Sequence, residues 1–369
     1  MRRFRLLAAG ASALALFVSA CQTGGAPSPT TAPAAPATTA PAKPTAAAAA
    51  SPSAAASPAA AAASPKPAAS PAASPAAVAS PSAAAAAGGP KPTVKVGSFN
   101  FDESEILQEL YAQVLETNGY TIERHARLGN REIVEPALES GQIDLVPEYL
   151  ATVEAFIAGK ASTPSKATSD PAATQTALQT LLTPKNLTVL DFAAQAVDTN
   201  GFVVSKATAD QYKLAKMSDL QPVAGQLVLG GPPECPQRPF CLLGLQQTYG
   251  LQFKDFKPLD AGGPLTVTAL TSTPPQIDVG LLFTTDPNIT VKNLVLLDDD
   301  KHLQLADNVA PVVRNAILTQ GADAKTLLNS VTSKLTTADL TTMNNDVGNN
   351  HKDASAVAKA YLQSKGLIK

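Results

Sequence analysis

Residues 94–152 read VKVGSFNFDESEILQELYAQVLETNGYTIERHARLGNREIVEPALESGQIDLVPEYLAT, and this stretch decides the fold. Alternating valines predict a short strand that ends near Gly97. Apolar residues at helical spacing then predict a helix with one buried face, ending near Gly119. The helix begins at Asp102, and Asp102 with Glu105 has the spacing of a capping box.

The second half of this stretch repeats the pattern. It predicts strands at 120–128 and 143–146, with a helix at 133–140 between them. Strands that alternate with helices predict an α/β fold built on a parallel sheet with covered faces. Ligands of such sheets bind beyond the carboxyl ends of the strands. The sequence therefore predicts a ligand site at residues 98–101 and 148–149.

Seven motifs in order resemble one known family. GSFNFDESEIL and LGNREIVEPALESGQIDLVPEYLAT are followed by LVLGGPPECPQRPFCLLGLQQTYGLQF, KPLDAGGPLTVTAL, IDVGLLFTTD, VLLDDDK and APVVR. Together they resemble the substrate-binding proteins of ABC importers for glycine betaine, choline and related quaternary-amine osmoprotectants. The resemblance covers nearly all of residues 94–369.

This resemblance implies a two-lobed periplasmic-binding-protein fold, similar to type II, with a ligand cleft between the lobes. Lobe 1 would comprise residues 93–197 and a returning segment at 309–369, and lobe 2 would comprise residues 198–308. The chain would cross between the lobes at two hinges, near residues 198–200 and 307–308. Such a protein closes over a small polar solute and delivers it to a permease with its ATPase.

The resemblance also implies which side chains face the cleft. An arginine fork suits a ligand carboxylate, and aromatic faces suit a cationic ammonium, so a zwitterionic or cationic solute fits the set. Phe101 and Tyr149 also read as core residues, Arg238 as a surface charge, and Asp286 as the start of a turn with Pro287. The expected ligand-binding residues are Ser98, Asn100, Phe101, Glu148, Tyr149, Asp198, Thr199, Asn200, Arg238, Phe240, Thr284, Thr285 and Asp286.

Two walls of the family's aromatic cage are missing from this chain. Where choline-type relatives end LDPAPANNTY with a tyrosine, the chain reads LDFAAQAVDTNG, which places Asn200 or Gly201 there. Where they have a tyrosine in GLxYxAL, it has Val267, and it contains no tryptophan. Tyr149 with one or two phenylalanines would form a weaker box. We expect either a low-affinity betaine site or another solute, such as an amino acid derivative whose ammonium binds Glu148, Asp198 or Asp286.

The start of the chain is typical of an exported lipoprotein. Residues 1–21 carry three arginines, an apolar run and the ending Val-Ser-Ala-Cys, which predicts a signal peptide with a lipobox. Cys21 would then be lipidated, with palmitate among its acyl chains, and would anchor the protein to the outer face of the cytoplasmic membrane. The alternative is ordinary cleavage near Ala20. Residues 22–92 are almost only Ala, Pro, Ser, Thr and Gly, which predicts a disordered tether.

Charge and cysteine content restrict the partners. Six of the 28 basic residues precede residue 93, so 22 remain against 30 acidic residues and the folded part carries about −8. Nucleic acid is therefore not an expected partner. Cys235 and Cys241 lie in a compartment where disulfides persist, so we expect a disulfide that holds Arg238 in place. Two free thiols are the alternative. A metal site is not expected, because no histidine lies near the two cysteines in the sequence.

An enzyme and a sensor are the competing functions. The chain has no GxSxG, HExxH or P-loop motif, and its histidines, His125, His302 and His351, stand in unrelated segments. We therefore expect no catalysis, no cofactor and no metal. The family resemblance implies a monomer. The acidic run Asp298–Asp300 is expected to be a solvated loop. A tethered solute sensor of the same fold is the alternative to a transport role.

Overall fold

The computed structural model describes residues 91–369. The predicted signal peptide, the lipidation site Cys21 and nearly all of the predicted tether lie outside the described residues. Within the described part, no helix is long and apolar enough to cross a membrane.

Ten strands and twelve α-helices make up the described residues. The strands are β1 Thr93–Gly97, β2 Thr121–His125, β3 Leu145–Tyr149, β4 Leu187–Val189, β5 Asn200–Ser205, β6 Val228–Gly231, β7 Asp255–Pro258, β8 Val279–Phe283, β9 Leu294–Leu296 and β10 Val309–Arg314. The helices are α1 Asp102–Thr117, α2 Arg131–Ser140, α3 Leu150–Lys160, α4 Pro171–Leu182, α5 Lys206–Tyr212, α6 Leu242–Gly244, α7 Pro264–Thr271, α8 Asn288–Val291, α9 Asn315–Gln320, α10 Ala324–Thr332, α11 Thr337–Gly348 and α12 Ala354–Ser364.

The first lobe is built on a five-stranded sheet with the order β2-β1-β3-β10-β4. The predicted parallel pairing is confirmed for β1, β2 and β3, whereas β10 runs antiparallel to both of its neighbours. One face of the sheet is covered by α1, whose apolar side packs with the last three helices of the chain. The C-terminal segment therefore returns to the first lobe and completes its core.

The second lobe has its own five-stranded sheet, ordered β7-β6-β8-β5-β9. β6 is parallel to β7 and β8, while β5 is antiparallel to β8 and β9. Its core includes Phe202, Leu229 and Leu281, all nearly inaccessible to solvent. The separate sheets and cores confirm the predicted two-lobed α/β fold.

The two connections between the lobes lie side by side. Val197 and Asn308 form an isolated antiparallel bridge, and the Asp198 amide donates to the Asp307 carbonyl over 3.2 Å. Asn308 Nδ2 also donates to the Ala193 carbonyl over 2.8 Å. Any movement of one lobe against the other must bend both connections together.

The predicted capping box at the start of α1 is wrong. Phe101 occupies the N-cap position without a side-chain hydrogen bond. Asp102 and Glu105 instead form ion pairs with Arg127, each at 2.5 Å. The two acidic side chains therefore attach the first turn of α1 to the loop after β2.

The predicted boundaries of the second and third strands are also wrong. β2 ends at His125, and Arg127 then takes a left-handed φ of 53°. β3 extends to Tyr149 because β10 pairs along its whole length, with Glu148 opposite Ala310. Since β10 lies far away in sequence, the local pattern could not reveal this extension.

Candidate ligand-binding site

A cavity of about 490 Å³ lies between the two lobes. Lobe 1 contributes the ends of β1 and β3 and the first turns of α2 and α3. Lobe 2 contributes β5, the loops that follow β6 and β7, and Leu281 and Phe283 of β8. The cavity volume falls in the range of about 300–1,000 Å³ that is typical of small-molecule sites.

Aromatic rings form much of the cavity wall. The centroid of the Phe101 ring lies 5.9 Å from that of Phe99, 6.3 Å from that of Tyr149 and 5.1 Å from that of Phe283. Phe283 belongs to lobe 2, so this ring cluster spans the cleft. Ring faces carry negative potential and attract cations. The cavity also includes the rings of Phe156 and Phe240.

Arg131 enters the cavity from the start of α2. Its Nε lies 3.0 Å and its Nη2 2.7 Å from the two carboxylate oxygens of Glu148, and Nη2 also donates to Thr152. The guanidinium lies 5.1 Å from the centroid of the Phe99 ring. Among the described residues these hydrogen bonds use only Nε and Nη2 of Arg131. Nη1 therefore keeps its donors for a ligand.

Arg238 reaches the same cavity from lobe 2. Its Nη2 donates to Glu132 over 2.9 Å, and its guanidinium lies 4.6 Å from the centroid of the Phe156 ring. Burial lowers the pKa of Arg238, and the nearby charge of Arg131 lowers it further. Two guanidinium groups thus line the same cavity from opposite lobes. An anionic ligand group between them would balance their positive charge.

Two aspartates line the cavity at the lobe connections. Burial raises the pKa of Asp307 to about 7, although its carboxylate accepts a hydrogen bond from the Thr152 amide over 2.8 Å. Burial, followed by the nearby Glu103, raises the pKa of Asp198 well above its ordinary value. Burial thus favours the neutral, protonated forms of these two carboxyl groups.

A disulfide holds the lobe-2 loop that carries Arg238. Cys235 and Cys241 are bonded, with their Cα atoms 5.1 Å apart, as expected from the sequence. The Phe240 carbonyl in this loop accepts hydrogen bonds from Asn200 Nδ2 and from Gln304 Nε2, each at 3.0 Å. The loop is thus stabilised by its own disulfide and by hydrogen bonds from two neighbouring side chains of lobe 2.

The structure brings about half of the predicted site residues to the cavity. Ser98 is buried and does not line the cavity; its hydroxyl accepts a hydrogen bond from the Arg127 amide. Glu148 does not line the cavity either, but its carboxylate binds Arg131, which does. Thr199 and Thr284 bind each other at the lobe connection. The predicted residues that line the cavity are Asn100, Phe101, Tyr149, Asp198, Asn200, Arg238 and Phe240.

The remaining predicted residues, Thr285 and Asp286, line a second cavity of about 610 Å³ between the lobes. Both cavities are lined by Asn100, Phe101, Asp260, Ala261 and Phe283. Val267, one of the positions where a cage tyrosine is absent, faces this second cavity instead of the first.

Sequence reasoning missed several residues of the site. It expected one or two phenylalanines beside Tyr149, but the cavity contains five. Phe99 lies in the predicted ligand segment 98–101 that follows the first strand, and Phe283 ends the strand VGLLF, so the sequence contained a signal for both residues. Arg131, Phe156 and Asp307 are among the other cavity residues that sequence reasoning did not assign to the site.

The expectation of a solvated loop at Asp298–Asp300 is wrong for its central residue. Asp299 is partly buried and accepts hydrogen bonds from the Tyr249 hydroxyl and from the Leu303 and Gln304 amides. It stabilises the turn before the second lobe connection. Within residues 91–369, no group of three or more His, Cys, Asp or Glu side chains could hold a metal ion.

Two lobes that enclose a cavity between them, joined by two adjacent connections, define the class of solute-binding proteins. Residues 92–364 match the family model described as the substrate binding domain of ABC-type glycine betaine transport systems. The chain belongs to this family and is a substrate-binding component of an ABC transporter. Such components of importers work on the outer side of the cytoplasmic membrane.

Curated relatives and solved structures agree with this assignment. The carnitine transport binding protein OpuCC of Listeria monocytogenes is 27% identical over 280 residues, covering 75% of this chain and 88% of the relative. The glycine betaine-binding protein YehZ of Escherichia coli K12 is 27% identical over 282 residues, covering 75% and 92%. A glycine betaine/carnitine/choline ABC transporter structure, 25% identical, covers 76% of this chain and all of its own with a TM-score of 0.59.

Proposed function

We propose that the protein binds a zwitterionic quaternary amine, such as glycine betaine or carnitine, between its lobes and delivers it to an ABC permease. The observation that carries this proposal is one cavity in which aromatic rings and two arginines from opposite lobes converge. The rings suit the cationic end of such a solute, and the arginines suit its carboxylate. Closure of the lobes would bring both halves of the site onto the ligand.

The aromatic wall favours a quaternary over a primary ammonium. A primary ammonium needs hydrogen-bond acceptors and an ionised carboxylate, but burial disfavours the ionised forms of Asp198 and Asp307. A quaternary ammonium has no N–H groups and is bound mainly by ring faces. The rings of Phe99, Phe101 and Phe283 compensate for the missing cage tyrosines.

Location and anchoring complete the proposal. We infer that Cys21 carries the lipid anchor, which holds the protein at the outer face of the cytoplasmic membrane. Residues 22–92 would then act as a tether that lets the binding lobes reach the permease. The bound solute would leave unchanged, since the family consists of transport binding proteins. A monomer is sufficient, because both halves of the cavity come from one chain.

Thermal unfolding against a solute panel tests the proposed function. Purified protein would be heated with glycine betaine, carnitine, choline, proline betaine, primary-amine amino acids and sugars. A bound ligand at 100 times its dissociation constant should add about 2.7 kcal/mol to the free energy of unfolding. A shift with quaternary amines alone is the expected result, whereas a shift only with sugars or primary amines would overturn the proposal.

Tyr149 provides a second test at the cationic end. Tyr149→Ala should weaken binding of a quaternary amine by about 1–2 kcal/mol or more, because the ring face that contacts the cavity is removed. Isothermal titration would measure the dissociation constant, with Tyr149→Phe as the matched variant that keeps the ring. An unchanged affinity in Tyr149→Ala would remove this residue from the site.

A further inference from the structure

An ion pair joins the two lobes beside the ligand cavity. Arg238 belongs to lobe 2, whereas Glu132 belongs to lobe 1 and lies in the first turn of α2. Arg238 Nη2 lies 2.9 Å from each carboxylate oxygen of Glu132. The contact exists only while the lobes are together and must break when they separate. It therefore stabilises the closed arrangement of the lobes and not the open one.

An aromatic ring of lobe 1 contacts the same guanidinium. The ring centroid of Phe156, on α3, lies 4.6 Å from the guanidinium carbon of Arg238, which is within the range of a cation–π contact. The side chain of Arg238 is 18% exposed, and that of Glu132 is 46% exposed. A guanidinium removed this far from water is destabilised when its carboxylate partner is lost. Loss of the Glu132 charge should therefore disfavour closure.

The loop that carries Arg238 is strongly constrained. Residues 231–241 read GPPECPQRPFC and contain four prolines, each of which restricts the backbone. The Arg238 amide donates to the Cys235 carbonyl, and the Arg238 carbonyl accepts from the Cys241 amide, each over 3.1 Å. The same two cysteines form the disulfide. A side chain on so constrained a loop loses little freedom on forming a contact, so more of the free energy of that contact favours closure.

Glu132 does not line the ligand cavity, although its neighbours Arg131 and Ile133 do. Its half-exposed side chain reaches Arg238, which does line the cavity. The hydrogen bonds of Arg238 side-chain nitrogens to described residues use only Nη2, so Nε and Nη1 keep their donors for a ligand. Any effect of Glu132 on a bound solute must then act through Arg238 and the closure of the lobes, because Glu132 makes no direct contact with the cavity.

We propose that Glu132 is a positioning residue that holds Arg238 across the cleft, and that the two form an interlobe clamp that retains the bound solute. This inference rests on the proposed function, because the clamp closes over the solute of that site. The ion pair forms only after the lobes meet, so it slows their reopening and the release of the solute. A zwitterionic solute has no net charge, so the charge of Glu132 should not steer its entry.

Stopped-flow kinetics of Glu132→Gln tests the clamp. The chain has no tryptophan, so tyrosine emission, including that of Tyr149 in the cavity, would report binding of glycine betaine and carnitine. We expect the dissociation rate constant to rise by about fivefold or more and the association rate constant to change by less than about twofold. Wild-type release in Glu132→Gln would overturn the proposal.

Glu116→Gln is the matched control for the loss of one negative charge. Its side chain is 50% exposed, similar to that of Glu132, but it pairs with Arg124 inside lobe 1. Both rate constants should therefore keep their wild-type values in this variant. An equally fast release in Glu116→Gln would attribute the effect to net charge and contradict the clamp.

Arg238→Met shows whether Glu132 acts through Arg238. Methionine keeps an extended side chain but removes the charge, so Glu132→Gln should add no further effect in an Arg238→Met background. If Glu132→Gln speeds release by the same factor in both backgrounds, the two residues act independently and the clamp is wrong.

Choline separates the clamp from direct contact between Arg238 and the ligand. It has no carboxylate for Arg238 to bind, so its release should still be faster in Glu132→Gln by about the same factor. A change confined to carboxylate-bearing solutes would mean that Glu132 only orients Arg238 toward the ligand, which contradicts the clamp. If no quaternary amine binds, the proposed function fails, and the same rate comparison with the panel solute that does bind decides the clamp.

Discussion

Replacement of Arg131 with alanine is expected to lower the free energy of unfolding by about 3–5 kcal/mol, a loss typical of a broken buried ion pair. The side chains of Arg131 and Glu148 are only 13% and 4% exposed, and Arg131 is bound to both carboxylate oxygens. Without the guanidinium, Glu148 keeps a buried charge that no other described basic side chain contacts. Urea unfolding followed by circular dichroism would measure the change.

The same variant should also weaken ligand binding, because one of the two guanidinium groups in the cavity is lost. Arg131→Met combined with Glu148→Gln is the matched control, since it removes both charges and keeps side-chain volume. Replacing both members of a buried pair is often nearly neutral for stability. The double variant should therefore recover most of the stability but not the affinity. A loss below about 1 kcal/mol in Arg131→Ala would show that the pair is effectively hydrated.

Local sequence patterns predicted the fold where the chain pairs with near neighbours. The β1, α1 and β2 segments were recognisable because their apolar spacing depends on adjacent residues. The end of β3 was not, because its partner β10 lies more than a hundred residues away and supplies the pairing for Glu148 and Tyr149. Both lobes and their two connections followed from the resemblance to a family, not from composition or periodicity.

The candidate site was predicted only in part, for a related reason. The ends of strands point to a ligand edge, which identified Asn100, Phe101 and Tyr149. Phe156 and Arg131 lie on helices. In a helical sequence pattern, a phenylalanine is usually interpreted as a core residue and an arginine as a residue on the solvent-exposed face. These residues reach the cavity because particular turns of α2 and α3 face the opposite lobe. The packing of the lobes determines which turns do so, and a local sequence pattern does not show it. Some polar residues, such as Ser98, also follow the end of a strand and were therefore predicted to bind the ligand. In the structure they lie beneath the cavity wall and support it.

Phe101→Ala should cause the largest loss of ligand affinity, about 2 kcal/mol or more, which is roughly a 30-fold rise in the dissociation constant. Phe101 contacts Phe99 and Tyr149 in its own lobe and Phe283 in the other, so it contributes to the cage and to closure at once. It also lines both cavities between the lobes. Its removal would take one ring from the proposed cationic subsite and leave empty space at the lobe interface.

Two matched variants distinguish ring chemistry from volume and from stability. Phe101→Leu keeps an apolar side chain at the lobe interface but removes the ring face, so it should lose most of the affinity for a quaternary amine if cation–π attraction dominates. Phe256→Ala truncates a partly buried phenylalanine of lobe 2 that lines neither cavity, and should lower stability with little change in affinity. Titration calorimetry of all three variants, each held well below its unfolding temperature, provides the comparison. If Phe101→Leu keeps the wild-type affinity, the loss in Phe101→Ala reflects lobe closure and not cation–π attraction. If Phe101→Ala itself keeps the wild-type affinity, this ring is not part of the site.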